Sequence, residues 1–256
     1  MAASPLLTAA LAAAFCVIHL FIGRLRFLHV EPRSRWLSFA GGVAVAYVFM
    51  HMLPELGEHG RTLARAAGLN EALADSAVFA VALAGLALFY GTERALLTSR
   101  RLNRHAGEGD RPEEGVFWLH IASSALLIAI VAYLLNNRDD QTLVGTAVYF
   151  VAMSLHFSTA DFGSRAHHPE SYDRWGRWVL VAATAGGWLL GLLTDLAEEA
   201  IAALFAFVAG GIILTVLKEE LPAEREGRFV PFLIGAALYA ALVLAEEAFA
   251  AGRSVG

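Results

Sequence analysis

The sequence predicts an all-α polytopic membrane protein. Of its 256 residues, 57% are hydrophobic and only 17% are charged, and the mean hydropathy is +0.57. Several apolar runs reach the roughly 20 residues that a helix needs to cross a bilayer. The length alone would suggest one or two soluble domains. The apolar runs overrule that expectation and assign the chain to the bilayer.

Eight apolar segments account for the chain as a single transmembrane domain over residues 1–256. The first is not expected to be a cleaved signal peptide, because its basic residues, Arg24 and Arg26, follow the apolar stretch instead of preceding it. The sixth is the weakest, since ATAGGWLLGLL is short and rich in glycine. The segments cover residues 5–23, 36–56, 76–97, 116–135, 142–162, 178–194, 199–218 and 229–248.

The basic residues predict the orientation of the chain. Fifteen of the 19 Lys and Arg lie in the loops after the first, third, fifth and seventh segments, and four lie elsewhere. Short loops rich in Lys and Arg stay in the cytoplasm. We therefore expect both termini outside. Because 18 of the 19 are Arg, the composition suggests a GC-rich bacterial genome, and hence the bacterial cytoplasmic (inner) membrane.

Two segments share a pattern that predicts an inverted repeat. Residues 41–55, GGVAVAYVFMHMLPE, and residues 210–222, GGIILTVLKEELP, both begin with Gly-Gly and reach Leu-Pro near the end. They belong to helices of opposite direction, so segments 1–3 are related to segments 6–8, with 4 and 5 between them. Paired glycines permit close helix packing, and proline frees backbone carbonyl groups. Chance recurrence of two short motifs is the alternative.

Ionisable side chains inside these segments are candidate functional groups. His51 and Glu55 are four residues apart near the outer end of the second segment, so a regular helix presents them on one face. His156 and Asp161 lie in the fifth segment, roughly 140° apart at about 100° per residue. The remaining candidates lie near the cytoplasmic side and are His120, Glu219 and Glu220.

Imidazole and carboxylate groups are ligands that Zn²⁺ and similar metals prefer. The candidates therefore predict a polar path for a divalent metal, from an entrance at His51 and Glu55 to an inner cluster. For Glu93 and Glu219 the alternative is a plain position at the membrane interface. The loop histidines, which are either solvated side chains or a weak metal-binding patch, are His105, His167 and His168.

Three stretches resemble the ZIP (zinc/iron-regulated transporter-like) family. VFMHMLPE is similar to the second span of that family, GLALFYGTER to the third and AGGIILTVLKEELP to the seventh. The resemblance implies eight spans in a 3+2+3 inverted-repeat arrangement with both termini outside. It also implies a transporter that moves a divalent metal ion, zinc first, toward the cytoplasm.

The fifth span departs from the family's metal-binding pattern, His-Glu-x-x-His-Glu-x-Gly-Asp. In HFSTADFGS, His156 stands at the first His, Asp161 at the second Glu and Gly163 at the Gly. The other ligand positions are filled by Phe157, Ala160 and Ser164. Two readings remain open. Either a single reduced metal site persists, or the fold serves as a sensor, an assembly partner or a carrier of another solute.

The expected partners are the lipid bilayer and the transported metal ion, with no bound cofactor. Faces of small residues such as GLALFYG are compatible with a homodimer. Nucleic acid is not expected, because the basic loops are explained by topology. An enzyme is not expected either, because no nucleophile stands beside a base at a convincing spacing and no metalloprotease-like helix pattern occurs. The single Cys16 excludes a disulfide within the chain.

Overall fold

A computed structural model describes residues 4–24, 35–68, 71–137, 143–220 and 228–254. These residues are almost entirely helical, and no β-strand occurs among them. The predicted all-α class is therefore confirmed. The helices are α1 (Pro5–Phe21, extended by a 3-10 turn Ile22–Arg24), α2 (Arg35–Tyr47), α3 (Leu53–Ala67), α4 (Glu71–Ala106), α5 (Glu114–Asn137), α6 (Leu143–His167), α7 (Pro169–Ser171), α8 (Arg177–Leu193), α9 (Glu198–Glu220) and α10 (Phe229–Ser254).

Six helical segments are long and apolar enough to cross a membrane, which makes the chain an integral membrane protein. A helix occupies each of the eight predicted segments, but α6 and α10 are not among the six that meet this requirement for length and hydropathy. In α6 the side chains of Leu143 and Val144 lie outside the described residues, so only the remaining, more polar part of the helix enters this comparison. In α10 the described apolar part, Phe229–Ala245, is short. The six are Pro5–Arg24, Ser38–Leu63, Ser76–Ala106, Glu114–Asn137, Pro169–Leu193 and Glu198–Leu217.

Helices α5 and α8 are parallel and packed closely. A methyl group on Gly187 would collide with the carbonyl oxygen of Ala129, and one on Gly191 would press against Tyr133, four residues further along both helices. The Asn137 amide donates to the Gly191 carbonyl across the same interface at 2.9 Å. The glycines that weakened the sequence signal for this segment therefore serve close packing.

Two further helix pairs are held by reciprocal glycine contacts. In α4 and α9, a methyl on Gly85 would collide with the Phe207 carbonyl oxygen, and one on Gly210 with that of Ala82. Helices α2 and α10 repeat this device. There, a methyl on Gly42 would collide with the Phe232 carbonyl oxygen, and one on Gly235 would collide with that of Phe39. The prediction that Gly-Gly permits close packing is confirmed for Gly42 and Gly210.

Helix α6 runs antiparallel to α5 and parallel to α1. His120 near the start of α5 contacts Ser164 near the end of α6, whereas the Tyr149 hydroxyl near the start of α6 donates to the Val131 carbonyl near the end of α5. On the α1 side, Phe15 stacks on Phe150 and also contacts Phe157 edge-on. In chain order, helix α6 therefore reverses the direction of the chain after α5, before α8 runs parallel to α5 again.

The second predicted segment contains a π turn, Val48–Met52, between α2 and α3. Its closing bond runs from the Leu53 N–H to the Val48 carbonyl, five residues back. Pro54 follows directly, and its missing N–H and ring disturb the regular hydrogen bonding of the preceding turn. The predicted loosening of the helix by proline therefore takes the form of a π turn, which rotates all following residues by about 100° relative to a regular helix.

Candidate functional site

The main cavity lies between α4, α5, α6 and α9 and has a volume of about 350 Å³. Three of the predicted site residues, His120, His156 and Asp161, line it together. Glu93 and His167 also contribute to its wall. No Lys or Arg is among the described residues that line it. The described part of the cavity wall therefore combines imidazole and carboxylate groups.

A second cavity of about 30 Å³ lies on the α2 side of His156. His156 and Thr159 border both cavities, and Tyr47 of α2 lines the smaller one. The ring of Tyr47 stacks on that of His51, with 5.7 Å between the centroids. Polar and aromatic groups thus connect the predicted entrance residue His51, through Tyr47, to His156.

One carboxylate oxygen of Asp161 is hydrogen-bonded to side chains from two other elements. Its Oδ2 lies 2.6 Å from His19 Nδ1 at the end of α1 and accepts a 2.8 Å hydrogen bond from the Tyr172 hydroxyl, just before α8. His19 and Tyr172 are 0% exposed and Asp161 is 2% exposed. No described residue hydrogen-bonds the other oxygen, Oδ1. Asp161 is therefore anchored, and it still has an oxygen for a ligand.

His120 and His156 differ in how they are held. His120 Nε2 lies 3.0 Å from the Ser164 hydroxyl, which itself donates to the Ala160 carbonyl. With that hydroxyl hydrogen used, Nε2–H of His120 is the donor and its Nδ1 is unprotonated. The Nδ1 atoms of His120 and His156 are buried without a hydrogen-bond partner among the described residues. Both rings therefore have an acceptor nitrogen to offer.

Each hydroxyl group that lines the main cavity lies within hydrogen-bond distance of a carbonyl oxygen of its own helix, and the Ser123 hydroxyl also lies 3.2 Å from that of Thr92. Ser124, for example, donates to the His120 carbonyl at 3.0 Å, and Thr215 donates to the Gly211 carbonyl at 3.0 Å. Since a hydroxyl has one hydrogen, its lone pairs are what remains for the cavity. The six hydroxyl residues are Thr92, Ser123, Ser124, Thr159, Ser164 and Thr215.

The predicted pair of His51 and Glu55 is separated by the end of the π turn. His51 lies in the π turn and Glu55 follows it in α3, and the prediction that they share a face stays a prediction. Glu55 has its Oε1 4.0 Å from Nε2 of His59, one turn further along α3. The His59 ring in turn lies on Phe205 of α9, with centroids 4.7 Å apart.

The candidate ligands do not form a ready-made metal shell. Within the part of the chain that the structure describes, no group of three or more His, Cys, Asp or Glu side chains is placed to hold one ion. The side chains of Glu219 and Glu220 lie outside the described residues, so their predicted place near the exit stays a prediction. His120, His156 and Asp161 share a cavity but not a coordination sphere.

His19 and Tyr172 are functional candidates that the sequence reading missed. His19 is the only Asp, Glu, His, Lys or Arg in the apolar helix α1, and that isolation marks it as a candidate. Tyr172 could not have been found in the same way, because it lies in a polar stretch, PESYDRWG, that resembles a loop. Its role depends on the π turn Tyr172–Gly176, which leads into α8.

Ion pairs order the loops at the end of the bundle where α4 ends and α5 begins. The Arg100 guanidinium holds Asp110 in a two-point contact of 2.8 and 2.6 Å. This hydrogen bonding lowers the pKa of the Asp110 carboxyl, with smaller help from the charge of Arg104. Arg165 binds Asp173 in the same two-point manner. The loops are thus fixed around the mouth of the cavity.

No protein-family model matches this chain, and neither does any curated protein or solved structure. Its function therefore has to be inferred from the chemistry of the cavity.

Proposed function

We propose that the protein is a ZIP-like transporter that moves a divalent metal ion, zinc first, toward the cytoplasm. The observation that carries this proposal is the meeting of His120, His156 and Asp161 at one cavity inside a bundle of apolar helices. Ionisable groups are costly within a membrane and mark ion pathways. No enzymatic chemistry is part of the proposal, because a facilitator only exchanges ligands along the way.

The proposed path begins at His51, Glu55 and His59. It passes Tyr47 and the small cavity, and it reaches the main cavity at His156. Because His156 borders both cavities, it is the natural point of transfer between them. Glu219 and Glu220 are proposed for the exit, on the basis of the sequence resemblance alone.

The proposed topology has eight spans in the 3+2+3 arrangement, with α6 and α10 as the fifth and eighth. Helix α6 runs antiparallel to α5, which is itself long and apolar enough to span, and its 25 residues give it a comparable length. The reciprocal contacts of α2 with α10 and of α4 with α9 are what an inverted repeat predicts. The distribution of Arg and Lys supports both termini outside, in a bacterial inner membrane, and a homodimer is compatible with this topology.

Metal uptake by proteoliposomes tests the proposal. We expect Zn²⁺ uptake above that of empty vesicles, a loss of at least tenfold in His156→Ala, and unchanged uptake in His105→Ala, an exposed histidine in a different part of the molecule. Uptake should also fall in acid, because histidine must lose its proton to bind a metal. No uptake of Zn²⁺, Fe²⁺, Mn²⁺ or Cd²⁺ above background, in protein that remains folded, would refute the proposal.

A second candidate is a ZIP-fold membrane protein that no longer moves metal and acts as a sensor, an assembly partner or a carrier of another solute. Two observations favour it. The described residues contain no group of three metal ligands, and one oxygen of Asp161 is already engaged by His19 and Tyr172. Metal binding by the purified protein that is abolished in His156→Ala and Asp161→Ala would count against it.

A further inference from the structure

The end of α1 and the start of α8 lie at the same end of the bundle. The two helices are antiparallel, because the Trp188 indole in the last part of α8 donates to the Thr8 hydroxyl near the start of α1 at 3.2 Å. At their other ends, His19 and Tyr172 both contact Asp161. The segment of residues 172–178, which leads into α8, therefore lies at the level of the last turn of α1.

Arginine side chains at this end of the bundle lie over exposed aromatic rings. Among the described residues this arrangement occurs three times, with 5.0 to 5.9 Å between the guanidinium carbon and the ring centroid. At such distances a guanidinium group is attracted to the face of the ring. The three pairs are Arg24 with Phe21, Arg174 with Trp175, and Arg177 with Trp178. Because the rings remain 41 to 57% exposed, each pair presents an apolar ring and a positive charge together on the surface.

The charges of Arg174 and Arg177 have no acidic partner within the part of the chain that the structure describes. The acidic side chains next to them in sequence are engaged elsewhere. Arg165 binds Asp173 through contacts of 2.8 and 2.7 Å, and Glu170 lies 3.6 Å from an arginine of the loop after α4. The Nε of Arg177 is also buried without a hydrogen-bond partner among the described residues. This surface therefore offers positive charge and N–H donors to an anion.

The helix that carries these arginines is one of the six that can cross the membrane, over Pro169–Leu193. Arg174 precedes Leu193 by 19 residues, or roughly 28 Å at 1.5 Å per residue, which matches a hydrocarbon core about 30 Å thick. Large apolar side chains such as Leu189 and Leu190 are exposed further along the same helix. The helix length therefore puts the guanidinium groups at the depth of the lipid headgroups, with the tryptophan rings at the boundary to the acyl chains.

We propose that the start of α8 binds the headgroup of an anionic phospholipid. The guanidinium groups of Arg174 and Arg177 donate N–H bonds to the phosphate oxygens, for which their planar geometry is well suited. Trp175 and Trp178 contact the glycerol and the upper part of the acyl chains. A zwitterionic lipid offers the same phosphate, but its own ammonium group compensates the charge. This inference concerns a lipid partner and does not rest on the proposed metal transport.

Other anionic partners fit this surface less well. A free phosphate ion would satisfy the arginines but would leave the exposed faces of Trp175 and Trp178 without a contact. An acidic segment of a soluble protein would cover the arginines only at the edge of an apolar surface that continues along α8. A phospholipid combines the anion with the apolar chains in the order in which the helix presents their partners.

Tryptophan fluorescence in vesicles tests the proposal, because Trp175 and Trp178 report on the lipid that touches them. The full-length protein is reconstituted in equal parts of phosphatidylcholine and phosphatidylglycerol, with bromine on the acyl chains of one lipid or the other. Brominated chains quench fluorescence on contact, and the headgroup composition is the same in both preparations. We expect stronger quenching by the brominated phosphatidylglycerol, with a preference on the order of fivefold, the effect of one basic side chain near an anionic surface. The excess quenching should disappear in Trp175→Phe/Trp178→Phe.

Arginine variants separate a specific headgroup contact from a general effect of charge. Arg174→Gln/Arg177→Gln should remove the preference for phosphatidylglycerol. Arg61→Gln/Arg65→Gln is the matched control, because it removes two exposed arginines from α3, whose His59 ring lies on Phe205 near the start of α9. This control should keep the preference, and thermal melting should show that all variants are folded.

Equal quenching by the two brominated lipids in the wild type would overturn the inference. So would a preference that survives in Arg174→Gln/Arg177→Gln, or one that is lost to the same extent in the α3 control. No quenching of Trp175 and Trp178 by either lipid would show that another protein or a second copy of this chain covers the surface. A preference that disappears on addition of inorganic phosphate would identify a free anion as the ligand instead.

Discussion

His19 Nδ1 lies 2.6 Å from Asp161 Oδ2, and this contact joins the end of α1 to α6 in a fully buried setting. Tyr172 binds the same oxygen from the segment that leads into α8. Three elements, of which α1 is distant in sequence from the other two, are thereby tied at one carboxylate, beside the main cavity. Such a junction stabilises the bundle and fixes one wall of the cavity in position.

Removing His19 should destabilise the protein strongly. Loss of one partner from a buried pair costs about 3–5 kcal/mol, whereas loss of a hydrogen bond to a charged group costs about 1.5–3 kcal/mol. We therefore expect His19→Ala to lower the melting temperature in detergent more than Tyr172→Phe does. His105→Ala, on the exposed end of α4, serves as the control and should melt like the wild type. A His19→Ala variant as stable as the wild type would show that the contact does not hold the helices together.

Glycines at the reciprocal contacts should not tolerate a side chain. Gly42→Ala and Gly210→Ala each place a methyl group against a backbone carbonyl of the neighbouring helix, which cannot move without separating the pair. We expect either change to destabilise the protein by at least 1–3 kcal/mol, roughly the cost of overpacking. Gly91→Ala has open space around its methyl and should be neutral or slightly stabilising, because alanine is the better helix former. Thermal melting compares them, and equal effects at all three positions would contradict the packing.

The contact between Arg100 and Asp110 should make stability depend on acidity. Because hydrogen bonding to Arg100 lowers the pKa of Asp110, the stabilisation is fully present above the usual value of about 3.9 and is lost as the pH falls through the lowered pKa. Asp110→Asn should therefore melt slightly earlier than wild type at pH 7, with the gap closing in acid. High salt should also shrink the gap, since the pair is exposed. A gap that persists at the lowest pH would exclude this carboxylate as its source.

Labelling of single cysteines tests the orientation of the bundle. In a Cys16→Ala background, we expect a membrane-impermeant maleimide to label Ala197→Cys, in the exposed turn between α8 and α9, on intact cells. Glu108→Cys, in the exposed loop after α4, should be labelled only after permeabilisation. The opposite result would invert the topology. Glu170→Cys should behave like Glu108→Cys, because Glu170 lies 3.6 Å from Arg111 of that loop.

The helices were predictable from the sequence because apolar length determines them. The ends of the helices were harder to predict. Helix α4, for example, continues to Ala106, well past the predicted end at residue 97. The polar stretch SRRLNRHA extends the helix beyond the apolar span, where hydropathy no longer reports on structure. Gly42 and Gly210 correctly indicated close packing, and Pro54 correctly indicated a loosened turn, whereas Leu221 and Pro222 lie outside the described residues.

The contacts of the site were harder to predict than its residues. That His120, His156 and Asp161 share one cavity depends on how α5 and α6 pack, which no local pattern records. Asp161 is predicted as a metal ligand from its position in a motif, but the motif could not indicate its hydrogen-bond partners, which lie 142 and 11 residues away in sequence. The sequence alone does not show which hydrogen bonds the serines and threonines of α5 and α6 form. Their common acceptor character emerges only when every hydroxyl bond is followed.

Close glycine contacts divide the bundle into parts of different freedom. They lock α2 to α10, α4 to α9, and α5 to α8, backbone against backbone. Helix α6 has no such lock in its C-terminal half, since a methyl on Gly163 would meet open space. It is held there by His19, His120 and Tyr172, through hydrogen bonds that can change partners. In the proposed transporter, α6 is therefore the element that can shift, and the three glycine-locked pairs form the frame.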